Sequence, residues 1–156
     1  MTHIAYHPAT SHALEHIARH MRADDVDELR IMGKDRPREA VFRSAMQSDV
    51  CFVAYVDGVP GAVFGVGTPY ALGRVGAPWL LGTDVVERHA RAMLVDGRQA
   101  VESWRRRYAL LQNAVSVSNI LSIRWLSRLG FEFGEPVRTP YGGYVKVFSM
   151  EGRDSV

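Results

Sequence analysis

Three histidines, His12, His16 and His20, recur at every fourth position, a spacing that aligns them on one face of a helix and raises the question of a metal site. No carboxylate completes an HExxH arrangement, and Leu14 and Ile17 take the opposite face, so the row reads as solvent-exposed. The single cysteine, Cys51, lies in the apolar run VCFVAYV, where a thiolate would be poorly solvated; a nucleophilic role is not expected. From Arg88 to Tyr108 there are six arginines (88, 91, 98, 105, 106, 107) against Asp96 and Glu102. Something anionic could dock on that stretch. Arg105, Arg106 and Arg107 would point three ways on a helix and read as a solvated face. The chain carries 17 arginines and 2 lysines, yet its net charge is only +2, and no recognised nucleic-acid motif accompanies the arginines, so nucleic acid is not an expected partner.

The elements that must position these residues fit one domain. The chain has 156 residues, 47% hydrophobic and 23% charged, enough for one core and unlike a disordered or membrane protein. No apolar run approaches the roughly 20 residues of a spanning helix, and the start shows no basic region followed by an apolar stretch. One cysteine cannot form an intramolecular disulfide, which suits a reducing compartment. No membrane association and a cytoplasmic location are the expectations.

Residues 4–6 suit a short strand, and Thr10 or Ser11 can cap a helix with Leu14, Ile17, Ala18 and Met21 inward. A second helix is expected over 24–32, with Val26, Leu29 and Ile31 packing and Gly33 as its stop. A third is expected over 37–47, opened by Pro37. Runs 50–56 and 59–66 meet across Asp57-Gly58, a strong hairpin signal, and Gly61, Gly65 and Gly67 mark a bulge or a close backbone approach. A loop over 69–76 leads to a strand at 77–82. Asp96-Gly97 interrupts the helix-permissive stretch after it, which allows two helices or a loop and then a helix; the favoured expectation is the loop and a helix from about residue 91 or later to 108. A strand over 109–118 follows, then a helix capped by Asn119, with Ile120, Ile123, Leu126 and Leu129 on one side and Gly130 at its end. Two last strands, 131–138 and 144–150, flank the turn 140–143, and residues 151–156 are expected to form a flexible tail after a domain spanning 1–150. Trp79, Trp104 and Trp125 read as core anchors. Exposed Trp or Phe on the last hairpin would favour a homo-oligomer.

This order, with the segment VSVSNILSIRWLSRLGFEF at residues 115–133, resembles the GNAT acyl-CoA N-acyltransferases, in which a strand ends in Asn, a helix follows and a Gly-Phe pair leads into the next strand. Asn119, residues 120–129 and Gly130-Phe131 match that pattern. A still closer similarity is to the GNAT-like internal virion protein A family of T7-like phages, on a Trp-led strand at 79–84, Arg88 in the following loop, a basic helix to residue 108, and the stretch NILSIRW at 119–125. The resemblance implies a single α/β domain with a mixed, splayed central sheet of about six or seven strands flanked by helices.

It further implies acetyl-CoA as cofactor, its pantetheine arm in a gap beside the fourth strand and its pyrophosphate at a helix start. The residues that would hold it are Leu81, Gly82 and Thr83, then Arg88, Arg91, Ala92 and Met93, and Asn119. The family's loop pattern places glycine or another small residue where Arg91 and Met93 stand; Arg91 could instead pair with a phosphate. The acid that reprotonates the thiolate, a Tyr in the family, falls on Leu126, which cannot donate a proton, leaving Ser122, Ser127 and Tyr144 as substitutes. Glu28 and Asp84 are the candidate bases. Two function classes follow: an acyl-CoA-dependent N-acetyltransferase acting on an amine acceptor, or a non-enzymatic phage internal virion or morphogenesis protein that keeps the fold. The second implies phage virion proteins as partners and a place in the host cytoplasm or the virion.

Overall fold

The computed structural model describes residues 2–70 and 73–153. The chain runs β1 (Ile4–Pro8), α1 (Ser11–Arg19), α2 (Ala23–Ile31), α3 (Pro37–Met46), β2 (Ser48–Val56), β3 (Val59–Gly67), β4 (Val75–Gly82), α4 (Val85–Arg107), β5 (Leu110–Ser116), α5 (Ile120–Leu129), β6 (Glu132–Phe133), β7 (Val137–Arg138) and β8 (Tyr144–Glu151). The strands join one sheet in the order β1-β2-β3-β4-β5-β8-β6, with β7 also on β8. The sheet has eight strands because the expected strand 131–138 is two short pieces, both paired to β8.

Local signals account for most of these elements. Thr10 caps α1 by accepting the Ala13 N–H, and Pro37 opens α3. Asp57 and Gly58 both take positive φ, 49° and 82°, which makes the two-residue turn that joins β2 to β3 with the right twist. At Gly65 any Cβ would fall 2.3 Å from the Val50 carbonyl oxygen, so the expected close backbone approach lies on β2. Gly130 ends α5 at φ 104°.

Alternation along the strands divides the core. Val53, Val63 and Leu81 face one side, where Ala13, Leu14 and Ile17 of α1, Leu29 of α2 and Ala40 and Val41 of α3 cover them. On the other side Val66, Leu111, Val115 and Phe148 pack with Val101 and Trp104 of α4 and Leu126 of α5, beside a smaller group of Ala54, Ala62, Val86 and Met93. Trp104 is a core residue, whereas Trp79 and Trp125 are only partly buried. Val26, expected inward on α2, is exposed, and Asp25 is buried in its stead.

Two further expectations change. Helix α4 runs through Asp96-Gly97 instead of starting after a loop; a Cβ on Gly97 would sit 2.8 Å from the Trp125 ring, so the glycine lets α5 approach. The irregularity falls at His89 (φ −123°, ψ 18°), one turn after the helix begins. The expected tail from 151 is tied down at its start: Glu151 ends β8, the Gly152 N–H bonds Ala109 O, and the Arg153 N–H bonds Arg105 O; residues 154–156 lie outside the described residues, as do 71 and 72 of the expected loop 69–76. On the last hairpin the exposed apolar side chains are Val137, Tyr141, Tyr144 and Val147 instead of Trp or Phe.

Candidate active site

Strands β4 and β5 run parallel and pair only at their beginnings, Val75 with Leu110 and Gly76 with Leu111. Beyond that they part. The Thr83 N–H bonds Gly61 O, so by strand alternation the peptide groups of Thr83 and Leu81 belong to the β3 ladder, while those of Gly82, Leu80 and Pro78 face the gap. Proline suits such a place because it has no N–H to leave without a partner. Its carbonyl takes the Asn113 Nδ2 at 2.9 Å, and the Asn113 Oδ1 takes the Ala114 N–H at 2.8 Å. Asn113 thus clips the two strands at the fork.

Past the fork, α2 supplies what the strands lose. The Gly82 N–H donates to Asp25 Oδ2 at 2.9 Å, the Gly82 carbonyl accepts the Arg22 N–H at 2.8 Å, and the Ser116 N–H donates to Glu28 Oε1 at 2.6 Å. The opening is a slot of about 180 Å³ that reaches both faces of the sheet, with Glu28, Leu29 and Met32 on the α2 side and Met93, Ser122 and Trp125 on the α4–α5 side. Leu80 also lines it, and its peptide N–H and C=O are directed into it.

A charged cluster closes the α2 end. Arg22 is 2% exposed, Asp25 1% and Asn119 0%. Arg22 Nη1 donates to Asp25 Oδ1 at 2.7 Å and to Asn119 Oδ1 at 3.4 Å; its Nε reaches Glu87 and its Nη2 reaches Asp24, both at 3.4 Å. Asn119 Nδ2 is shared between Asp25 Oδ1 at 3.2 Å and Glu28 Oε1 at 3.4 Å. Burial raises the Asp25 pKa, and Arg22, the Gly82 N–H and Asn119 oppose the rise. Glu28 is pushed up to about 7, first by burial and then by Asp25, against the Ser116 N–H, Asn119 and Arg22. A carboxyl poised there can take a proton near neutral pH. Among the described residues no buried side-chain nitrogen or oxygen lacks a partner.

The sequence-derived candidates separate in this geometry. Glu28 and Ser122 line the slot, Ser122 one turn ahead of Leu126, which also lines it. Asp84 is exposed at the start of α4, makes no cap bond, and lies in a separate surface dent with His16, His20 and Arg88. Tyr144 is 51% exposed on β8 and outside the slot lining. Leu81 also lines the slot, its side chain packed against α1–α3 and, by strand alternation, its peptide groups in the β3 ladder. Gly82 has both peptide groups taken by Asp25 and Arg22, and Thr83 bonds Gly61 O through both its N–H and its hydroxyl; none of the three is left free to hold a cofactor through its backbone. Arg88, Arg91 and Ala92 are exposed on the first turns of α4, where a helix with a kink replaces the expected receiving loop. Met93 is 4% exposed and packs with Ala54, Ala62 and Val86; its side chain is both a wall of the slot and part of the core. Asn119 stands at the cap position of α5, its carbonyl accepting the Ile123 N–H, but its side chain makes no cap bond and is fully buried against Arg22, Asp25 and Glu28.

Arg22, Asp25, Leu80 and Asn113 were not among the candidates. Two signals point to them: the i, i+3 pair Asp25 and Glu28 on one helix, and Pro78 inside an otherwise central strand. Outside the slot, His12 and His20 are exposed, and His16 is held below the usual histidine range by burial and by its two neighbours. Glu15, adjacent to His16, pairs with Arg38 at 2.8 Å. Burial pushes the Cys51 thiol up to about 11.

No family model matches the chain, and no curated protein does. Solved structures do. Aminoglycoside acetyltransferase AAC(6')-Ib, in complex with ribostamycin and coenzyme A, superposes with a TM-score of 0.68 at 18% identity over 95% of this chain and 93% of its own. The ribosomal-protein-S18-alanine N-acetyltransferase from Escherichia coli gives 0.66 at 18% over 100% and 97%. An acetyltransferase of the GNAT family from Bacillus anthracis gives 0.66 at 7% over 95% and 94%. The chain has the GNAT fold.

Proposed function

We propose that this GNAT-fold chain is an acyl-CoA-dependent N-acyltransferase that carries an acetyl group to an amine, with Glu28 as its base. The single observation that carries the reading is the parting of β4 from β5 with a carboxyl of pKa about 7 at its edge. The resemblance of the fold to acetyltransferases with coenzyme A bound supports it.

The residues present fit such a group in part. Leu80 offers a peptide N–H and C=O to the amides of an extended chain in the slot, and the exposed guanidinium groups of Arg88 and Arg91 at the start of α4 suit phosphates. An acyl-CoA supplies the acyl group as a thioester. Glu28 then removes the proton that the amine nitrogen sheds as its bond to the acyl carbon forms. The Ser122 hydroxyl, on the slot wall one turn ahead of Leu126, takes the place of the missing tyrosine, returning a proton to the sulfur as the carbon–sulfur bond breaks; Leu126 cannot.

Acetyl-CoA at millimolar concentration is expected to raise the melting temperature, since a ligand confined to the folded state must stabilise it, and Arg88→Ala with Arg91→Ala should reduce the rise. Turnover should climb with pH through about 7 and fall by roughly 10²–10⁴ in Glu28→Gln. An unchanged melting temperature would end this reading.

A second reading is favoured by Met93 and Leu126, which fill with core side chains the positions where the family pattern has a small residue and an acid. On that reading the chain is a phage internal virion or morphogenesis protein that keeps the fold without the chemistry. Its partners would then be virion proteins or further copies of itself, in the host cytoplasm or the particle. The same melting experiment separates the two.

A further inference from the structure

The carboxamide of Asn119 is fully buried, yet it serves neither the helix it begins nor any backbone group. Its orientation is fixed from both ends: Oδ1 faces the Arg22 guanidinium, and Nδ2 faces Asp25 Oδ1 and Glu28 Oε1. A flipped amide would set its oxygen against two carboxylates and its NH₂ against a cation. On Glu28 both contacts, from Asn119 and from the Ser116 N–H, fall on Oε1, which leaves Oε2 as the oxygen available to the slot.

We propose that Asn119 is a positioning residue for Glu28, holding Oε1 at the end of β5 so that Oε2 meets the acceptor amine. The proposal rests on Glu28 being the base of the acyl transfer. A donor at Oε1 favours the charged carboxylate, opposing the burial that disfavours it. The charged and titratable groups around Glu28 are Arg22 at the α1–α2 junction, Asp24 and Asp25 on α2, Glu87 of α4 against Arg22, and Lys34, Asp96 of α4 and Tyr6 of β1 on the slot lining; Ser116 of β5 and Asn119 before α5 are the uncharged contacts. Among these, Asn119 is the side chain that touches both carboxylates and the arginine, so its loss removes a donor from Glu28 without removing a charge.

The test is a carbon-13 titration of the glutamate carboxyls in the full chain, with Glu28 assigned from Glu28→Gln. Removing the Nδ2 donor without adding a charge, in Asn119→Ala or in the similarly sized Asn119→Leu, should move the Glu28 midpoint up by about one unit or more. The acidic limb of kcat/KM should move with it while KM changes little. A midpoint that stays in place in a folded variant overturns the proposal, because a residue that only packs would not set it. A shifted midpoint in a chain without turnover keeps the hold of Asn119 on Glu28 but removes the acyl-transfer reading, and the role toward the amine with it. Should neither variant fold, the nitrogen-15 shift of the Asn119 side chain in the unaltered chain gives the answer: it should titrate with Glu28 and lose that step in Glu28→Gln, and an amide insensitive to Glu28 sinks the idea.

Discussion

The Glu28 carboxylate accepts the Ser116 N–H at 2.6 Å, in the place where β5 would have found a strand partner had β4 stayed beside it. Three residues earlier on the same helix, Asp25 does the same for Gly82 of β4. One turn of α2 therefore satisfies the Gly82 and Ser116 N–H groups on the two edges of the fork, and the Leu80 N–H is left facing the slot. The arrangement ties the candidate base to the feature that makes the slot.

One consequence is a pH-dependent stability cost. Glu28 has a pKa of about 7 in the fold against 4.5 for the free side chain, so between those values the folded chain binds more protons than the unfolded one. The contribution of Glu28 to stability then falls as pH rises from 4.5 to 7. The cost is absent below that window and complete above it, at up to about 3 kcal/mol. Glu28→Gln keeps an oxygen for Ser116 and removes the cost. Urea unfolding at pH 8 should show the variant more stable than the native chain, with the gap closing by pH 4.5; a variant less stable at pH 8 would contradict the assignment.

Arg22 and Asp25 are each nearly inaccessible and bonded at 2.7 Å. Asp25→Asn leaves the guanidinium facing Asp24 and Glu87 at 3.4 Å and takes away its close counter-charge. A loss of about 3–5 kcal/mol is expected, since breaking a buried pair strands a charge. The double variant Arg22→Met, Asp25→Leu should recover part of that loss in the same unfolding experiment, and equal losses in the single and double variants would argue against a stranded charge.

Gly97 tests the packing of α4 on α5. In an open helical site Gly→Ala would stabilise by about 1 kcal/mol, but here the new Cβ would fall 2.8 Å from Trp125 Cζ2. Overpacking of this kind costs about 1–3 kcal/mol, so Gly97→Ala should be neutral or destabilising and Gly97→Val plainly destabilising, with a shift in tryptophan emission. A stabilised Gly97→Ala would show that Trp125 can move aside without cost.

Element order was legible wherever the deciding interaction is local. The Asp57-Gly58 turn, the Thr10 cap, Pro37 and Gly130 act through their own backbone angles or a bond within a few residues, and each could be read from its neighbours. Gly97 misled for the same reason: glycine's helix penalty is local and visible, whereas the tryptophan that requires it lies on another helix. Glu28 was legible as a carboxylate on the right helix, but Asp25 was not, because an Asp beside Val26 reads as surface until the fold turns it inward.

What the sequence by itself determined is the succession of strands and helices and the presence of a base candidate on α2, since periodicity, caps and turns are properties of short segments. What only the tertiary structure decided is the slot and its charge chemistry. Gly82 meets Asp25 across 57 positions, Ser116 meets Glu28 across 88, and Asn119 meets Asp25 across 94. Burying Arg22, Asp25 and Asn119 is tolerable only because all three arrive together and satisfy one another, and no stretch of chain contains that condition.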